Sequence, residues 1–193
     1  MSKIEQLIQQ LCPEGVEYKR LGEVCEIKRG ERITKRDILK EGEFPVISGG
    51  IYPLGRYNKF NREANTITIA SYGSAGYVNY QRERFWANDV CLCLYPSTSI
   101  GKKFLYYYLC SMQSYLFSKT TKAIPDHIPT EVISNLSIPL PPLPVQQEIV
   151  RKLDKLEALT SDLQEGLPAE IEARRKQYEY YRDQLLTFKR KEA

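Results

Sequence analysis

The chain has 193 residues and a formal net charge of +4, with 42% hydrophobic and 27% charged residues. That is enough for one ordinary domain plus an appendage, with a real core. No window holds 18 uninterrupted apolar residues, which excludes a membrane-spanning helix, and MSKIEQLIQQLCPEG at the N-terminus puts acidic and amide residues where a signal peptide needs an apolar run. A cytoplasmic location is therefore expected, with the five cysteines (Cys12, Cys25, Cys91, Cys93, Cys110) as reduced thiols.

Residues 3–11 (KIEQLIQQL) predict a short helix with Ile4, Leu7, Ile8 and Leu11 on one face. Pro13-Glu14-Gly15 ends it. From there to about 103 the signals are short strands and turns. Lys19 to Ile27 leads into Arg29-Gly30, and Phe44 to Ser48 runs into Gly49-Gly50. Thr66 to Ser71 alternates as a half-buried strand does, before a turn at Tyr72 to Gly76 and a further segment at Tyr77 to Tyr80. Val90 to Tyr95 (VCLCLY) is apolar throughout and reads as a strand buried on both faces. Helical periodicity returns over Lys102 to Ser118. A proline-punctuated loop, Thr120 to Pro129, precedes a last strand at 132–140.

Pro141, Pro142 and Pro144 form a stiff hinge, and Pro144 suits a first helical position. Glu148 then favours the helix dipole. Ile149, Leu153, Leu156, Thr160, Leu163 and Leu167 recur in steps of four and three, a coiled-coil seam. Gly166 and Pro168 interrupt it, predicting a kink or restart. The seam resumes with Ile171, Arg174, Tyr178, Tyr181, Leu185 and Phe188. If roughly 45 residues are helical, the rod spans about 65–70 Å, about two turns of duplex. Such a stripe calls for a helical partner.

Charge is unevenly spread. Residues 145–193 hold 10 basic and 10 acidic residues, whereas residues 1–144 hold 18 and 14. Within 28–62, nine basic residues (Lys28, Arg29, Arg32, Lys35, Arg36, Lys40, Arg56, Lys59, Arg62) face four acids. That is the footprint of a phosphate-seeking surface; a solvated face is the other reading.

Catalytic signatures are missing. His127 is the one histidine and lies in a Pro-flanked loop without a nucleophile motif, so a structural or exposed role is expected. Cys91 and Cys93 lack the further ligands zinc needs. Neither GxGxxG nor GxxxxGK[ST] occurs. Three segments mix bases, aromatics and amides instead: KRGERITKR (Lys28 to Arg36), GGIYPLGRYNKFNR (Gly49 to Arg62) and SYGSAGYVNY (Ser71 to Tyr80). Lys28, Arg29, Arg32, Lys35 and Arg36 are candidates for phosphates. Arg56, Asn58, Lys59, Tyr72 and Ser74 are candidates nearer the bases, with Asn58 or Asn61 suited to pair with adenine and Lys122 as an additional contact. Tyrosines half-buried at strand ends are the structural alternative. Tyr178, Tyr180 and Tyr181 suit a helix pair or a protein partner.

Several segments together resemble the DNA-specificity subunit of Type I restriction-modification systems. They are LCPEGVEYKRLGEV (Leu11 to Val24), FPVISGG (Phe44 to Gly50), NTITIASYGSAGYVNY (Asn65 to Tyr80) and FWANDV (Phe85 to Val90). KAIPDHIP (Lys122 to Pro129), ISNLSIPLPPLPVQQEIVRKLD (Ile133 to Asp154) and LPAEIEARRKQYEYYRDQLL (Leu167 to Leu186) continue the match. They run in order through nearly the whole chain. The resemblance implies an α+β fold, with a compact β-rich target-recognition domain (1–143) followed by a long coiled-coil helix (144–193) serving as spacer and dimerisation element. Typical members carry two such domains, each followed by a helix, and the helices pair antiparallel. One of each is seen here, so a half-subunit is expected, working as a C2 homodimer or with a second half-subunit. Its seam would be Ile149, Leu153, Leu156, Leu163, Leu167, Ile171, Tyr178, Tyr181 and Leu185. The implied target is double-stranded DNA with a bipartite, inverted-repeat site. The implied partners are Type I modification (adenine methyltransferase) subunits and the restriction subunit. S-adenosylmethionine and ATP belong to those partners; no cofactor, metal or catalytic residue is expected of this chain. A stand-alone dimeric DNA-binding regulator or antagonist, or a coiled-coil scaffold that ignores DNA, are the alternatives.

Overall fold

A capping box opens the chain: the Glu5 amide donates to Ser2 Oγ at 3.3 Å, and the Ser2 amide donates to the Glu5 carboxylate at 2.6 Å. Helix α1 (Lys3–Leu11) follows. The computed structural model describes residues 2–121, 124–161 and 168–191. Next come β1 (Glu17–Arg20), α2 (Leu21–Val24), β2 (Cys25–Arg29), β3 (Phe44–Ile47), β4 (Gly55–Tyr57), β5 (Thr66–Ala70), β6 (Val78–Gln81), β7 (Trp86–Ala87) and β8 (Cys91–Pro96). The chain then forms α3 (Lys102–Ser111), α4 (Gln113–Ser118), α5 (Thr130–Ser134), β9 (Ser137–Leu140), α6 (Leu143–Ser161) and α7 (Pro168–Leu186). The fold is α+β, as expected. The helical run predicted over Lys102 to Ser118 is divided at Met112, and the predicted final strand at 132–140 starts as helix α5.

Two compact units are interleaved in sequence. A helical unit comprises Met1–Lys19, Ser99–Ser111 and Ile138–Ala193; a β unit comprises Arg20–Thr98 and Met112–Ser137. The expected boundary was a single cut at 143/144. The helical unit also takes α1 and α3, which pack on α6, and the pair β1–β9.

In the β unit, one sheet has the order β2-β8-β5-β6, and its registered pairs are antiparallel. A second sheet, β4-β3-β7, joins β3 to β4 antiparallel and to β7 in parallel. Strand β8 is buried on both faces, as its unbroken apolar run predicts: Cys91, Leu92, Cys93 and Leu94 are all at most 1% exposed. Cys91 and Cys93 meet Ile47, Phe85 and Ala87, so the two sheets share a core. Strand β5 is buried along its whole length rather than on one face. Its threonine side carries Thr68 opposite Cys93, and the hydroxyls are satisfied there: Gln81 Nε2 donates to Thr68 Oγ1 at 3.0 Å, and Thr66 donates to the Glu63 carbonyl at 2.8 Å. Each large side chain buried in this core contributes about 1.5–3 kcal/mol.

In the helical unit, α6 packs against α1, α3 and α7, and α7 also packs on α3. The segment expected to be helical, with a kink or restart near 166–168, carries two 19-residue helices, α6 and α7, that pack against each other. Each is about 28 Å long. The interruption predicted at Gly166 falls on 162–167, outside the described residues, together with the seam positions Leu163 and Leu167; α7 begins at Pro168. The seam is also divided in role. Ile149 and Leu153 are 0% exposed and belong to the unit's own core, not to a free interface. Leu156, Ile171, Tyr178 and Leu185 are half-buried, and Tyr181 is exposed.

Two polar side chains lock this unit. The buried Gln146 amide accepts from the Gly101 N–H at 2.8 Å and donates to the Ser99 and Pro141 carbonyls at 3.0 and 2.8 Å. This fastens the start of α6 to the approach of α3. Glu148 takes a bidentate pair from Arg151 at 2.9 and 2.6 Å and lies 3.3 Å from Lys3 Nζ, joining α6 to α1. The C-terminal segment returns to the start of the chain: the Val16 amide donates to the Lys189 carbonyl, and the Tyr18 hydroxyl to the Phe188 carbonyl.

The hydrogen bonds and positive charges of Arg151 and Lys3 pull the Glu148 carboxyl down to about 2 from an ordinary 4.5, against the opposing effect of burial. A depressed carboxylate contributes its full stability above the unfolded value and loses it as pH falls through the folded value. Urea unfolding between pH 4.5 and 2 should therefore fall more steeply for the wild type than for Glu148→Gln. Parallel pH profiles would show that the ion pair adds nothing.

Candidate nucleic-acid interface

Four loops of the β unit meet at one backbone junction. The Ser74 amide donates to the Gly49 carbonyl at 2.7 Å, and the Gly73 amide to the Asp126 carbonyl at 3.1 Å. The Ser71 amide donates to Val90 at 2.8 Å, Ile128 to Ser71 at 3.0 Å and Asn88 to Ile47 at 2.8 Å. Such a junction needs close backbone approach. A Cβ on residue 49 would lie 2.3 Å from the Tyr72 carbonyl oxygen, and Gly73 sits at φ +77°, where other residues are strained. Tyr72 and His127 stack across the junction with ring centroids 4.7 Å apart and planes at 33°. His127 is thus a wall of this platform, and no group of His, Cys, Asp or Glu among the described residues is arranged to hold a metal ion.

The first basic segment lies on β2 and the loop after it. Lys28 pairs with Glu26 at 3.0 Å and lies over the Tyr95 ring at 5.3 Å. Arg29 donates to the Asp89 carbonyl at 3.3 Å and to Thr130 Oγ1 at 3.5 Å, while Arg32 stands 4.0 Å from the Asp89 carboxylate. These three cations are exposed but already face oxygen partners. Lys35 and Arg36 are exposed in a turn closed by Asp37, which accepts from the Thr34 amide and hydroxyl at 2.8 and 2.7 Å. Those bonds hold the Asp37 carboxyl below its ordinary range. Lys40, not singled out beyond its charge, is equally exposed.

The second segment divides sharply. Arg56 is half-buried on β4, and its Nε and Nη2 donate to the Gly42 and Glu43 carbonyls, each at 2.6 Å. Its guanidinium holds the loop before β3, so two of its donors are committed within the fold. Asn61 makes its bidentate pair with the Ala87 backbone, donating at 3.1 Å and accepting at 2.7 Å, so that amide is also structural. Asn58 and Lys59, one loop earlier, are exposed. Arg62 donates to the Arg29 and Asn61 carbonyls at 2.6 and 2.7 Å, and its buried Nε has no hydrogen-bond partner. A hydrogen bond with Cys91 and the Arg62 charge hold the Cys93 thiol below its ordinary value. Tyr72 and Ser74 sit half-buried in the platform, and Lys122 lies outside the described residues. The structure thus leaves Lys35, Arg36, Lys40, Asn58 and Lys59 as the exposed polar groups with fewest internal commitments.

The model of the Type I restriction modification DNA specificity domain matches residues 13–173 of this chain. The specificity subunit of the Type I restriction enzyme MpnII from Mycoplasma pneumoniae is 34% identical over 171 residues, covering 86% of this chain and 51% of that protein. The EcoR124I/EcoR124II specificity subunit of Escherichia coli is 40% identical over 99 residues, covering 50% of this chain and 24% of that protein. The crystal structure of the Type I restriction-modification S subunit from M. genitalium superposes with a TM-score of 0.71 at 25% identity, over 77% of this chain and 41% of that one. The HsdS subunit from Thermoanaerobacter tengcongensis shares the fold, with a TM-score of 0.63 at 22% identity over 95% of this chain and 49% of that one. The chain spans about half the length of the curated relatives it matches. It belongs to the Type I restriction-modification DNA specificity family.

Gly49→Ala should lower stability by at least about 2 kcal/mol, read as a shifted urea midpoint at unchanged slope. Arg56→Ala should cost about 0.5–1.5 kcal/mol of stability through the loss of its hydrogen bonds to the Gly42 and Glu43 carbonyls, with the ranking of DNA sequences unchanged. An unshifted midpoint with relaxed sequence preference would return Arg56 to the bases.

Proposed function

We propose that this member of the specificity family recognises double-stranded DNA and directs Type I modification and restriction subunits to it, making and breaking no bond itself. The observation that carries this reading is the rigid loop platform of the β unit, joined in one compact body to a basic segment whose outermost side chains have no internal task. Phosphate contacts position such a body on duplex, and the platform's loops supply groups for base edges. In this reading S-adenosylmethionine and ATP chemistry belongs to the partner subunits.

The site read would be bipartite. We assign one half to the β unit of this chain and the other to a second copy, related by a two-fold axis that makes the two halves an inverted repeat. Support comes from the helical unit. An open groove of about 400 Å³ is lined by Ile4 and Ile8 of α1, Leu156 of α6 and Tyr181 and Leu185 of α7. An apolar groove flanked by exposed tyrosines suits a helical partner.

Binding to duplex DNA should weaken steeply with salt, and the double variant Lys35→Ala/Arg36→Ala should reduce the slope of log K against log salt by about 2. Binding that is indifferent to salt would remove the DNA reading. Leu156→Asp should turn a dimer into a monomer in light scattering, because it places an unpaired charge in the groove; an unaltered dimer would move the interface elsewhere.

A further inference from the structure

We propose that the tip of the β3–β4 hairpin is an apolar wedge that enters the base stack of bound duplex, so that recognition includes deforming the DNA. This inference rests on the DNA reading and adds a mode of contact to it. The connection between β3 and β4 carries Ile51, Tyr52, Pro53 and Leu54, four consecutive apolar residues, and all four are exposed. Ile51 is 48% exposed, Tyr52 83% and Leu54 50%. Elsewhere among the described residues, large apolar side chains reach solvent one or two at a time. A run of this kind on a soluble surface is unfavourable in water and marks a contact site.

The tip is held rigidly. Leu54 N–H donates to the Val46 carbonyl at 2.8 Å, closing the hairpin, and the Gly49 carbonyl accepts from Ser74 at the loop's other root. Pro53 fixes its own φ. A stiff, closed hairpin loses little conformational entropy on insertion, unlike a flexible loop. The electrostatic surroundings name the partner. No acidic residue lies between Glu43 and Glu63, and Lys59 is an exposed cation there, with Arg56 and Arg62 half-buried. A polyanion is therefore attracted to this hairpin, whereas an acid-free apolar tip offers nothing to a basic protein surface. Proteins that deform duplex insert apolar side chains of this kind between base steps, which unstacks and untwists the helix there. Sequences that unstack readily would be preferred at positions touched by no hydrogen bond.

Unstacking changes helical twist, and twist is measurable without knowing the target sequence. A plasmid would be relaxed by topoisomerase in the presence of the full chain, alone and co-expressed with a Type I modification subunit, then stripped of protein. The wild type should lower the linking number in proportion to the amount bound. The triple variant Ile51→Ser/Tyr52→Ser/Leu54→Ser should lose most of that change per bound chain while keeping a cooperative urea transition, which shows that it still folds. Tyr52→Phe should retain it. Wild-type binding without any change in linking number, or an equal change per bound triple variant, overturns the wedge and leaves DNA recognition standing. A triple variant that keeps the linking change but no longer recovers the modification subunit makes the tip a protein contact and also overturns it. Failure of the wild type to retain plasmid at low salt removes the DNA reading and the wedge with it.

Discussion

The close approach of two backbones at residue 49 is the constraint on which the loop platform of the β unit depends. With only hydrogen on its α-carbon, Gly49 allows its strand end to pass against the Tyr72 carbonyl, where a Cβ would come within 2.3 Å. The Ser74 amide then reaches the Gly49 carbonyl, and the Tyr72–His127 stack covers the junction. Loops usually carry function because a scaffold fixes them. Here the scaffold extends into the loops themselves: backbone hydrogen bonds from 49, 71, 73, 74 and 128 make them one surface. The two-sheet core below it, centred on β8, sets the height from which they emerge.

The helical unit answers a different problem. An apolar stripe on a long helix must be covered by something. Part of the cover comes from the same chain, since α1 and α3 take Ile149 and Leu153 out of water and α7 lies along α6. What is left, around Leu156, Tyr181 and Leu185, is a shorter surface than the full stripe. In the proposed two-copy arrangement, that shorter surface is where a second helical unit would dock. Gln146 makes this unit specific as well as stable, because its buried amide is satisfied only when the start of α6 meets both Ser99 and Gly101.

Much of the fold was legible in the sequence, and the reasons are local. The unbroken apolar run of β8 read as a strand covered on both sides, and the spacing of Ile4, Leu7, Ile8 and Leu11 before Pro13 marked α1. How the apolar stripe of α6 is covered was not legible, because periodicity reports a buried face without saying which element or chain covers it. Arg56 and Asn61 show the limit most clearly. A guanidinium or an amide suited to base edges is equally suited to peptide groups, and here Arg56 binds the Gly42 and Glu43 carbonyls and Asn61 binds Ala87. Composition cannot separate those uses; only the fold reveals which peptide groups lie within reach. Ile51 to Leu54 fall within the Gly49 to Arg62 segment singled out for its bases, aromatics and amides, but that their side chains all reach solvent is visible only in the folded hairpin. The family resemblance, spread over many short segments in order, was firmer than any single residue assignment, and the matched model over 13–173 agrees with it.

The central claim is that the β unit recognises duplex sequence on behalf of enzymes that carry out the chemistry. Methylome sequencing of cells expressing this chain together with a Type I modification subunit tests it most directly. The account predicts new adenine methylation at a single gapped, palindromic motif that disappears when the chain is withheld. Methylation at the same sites with and without the chain, or none at all while the two proteins remain associated, would contradict it.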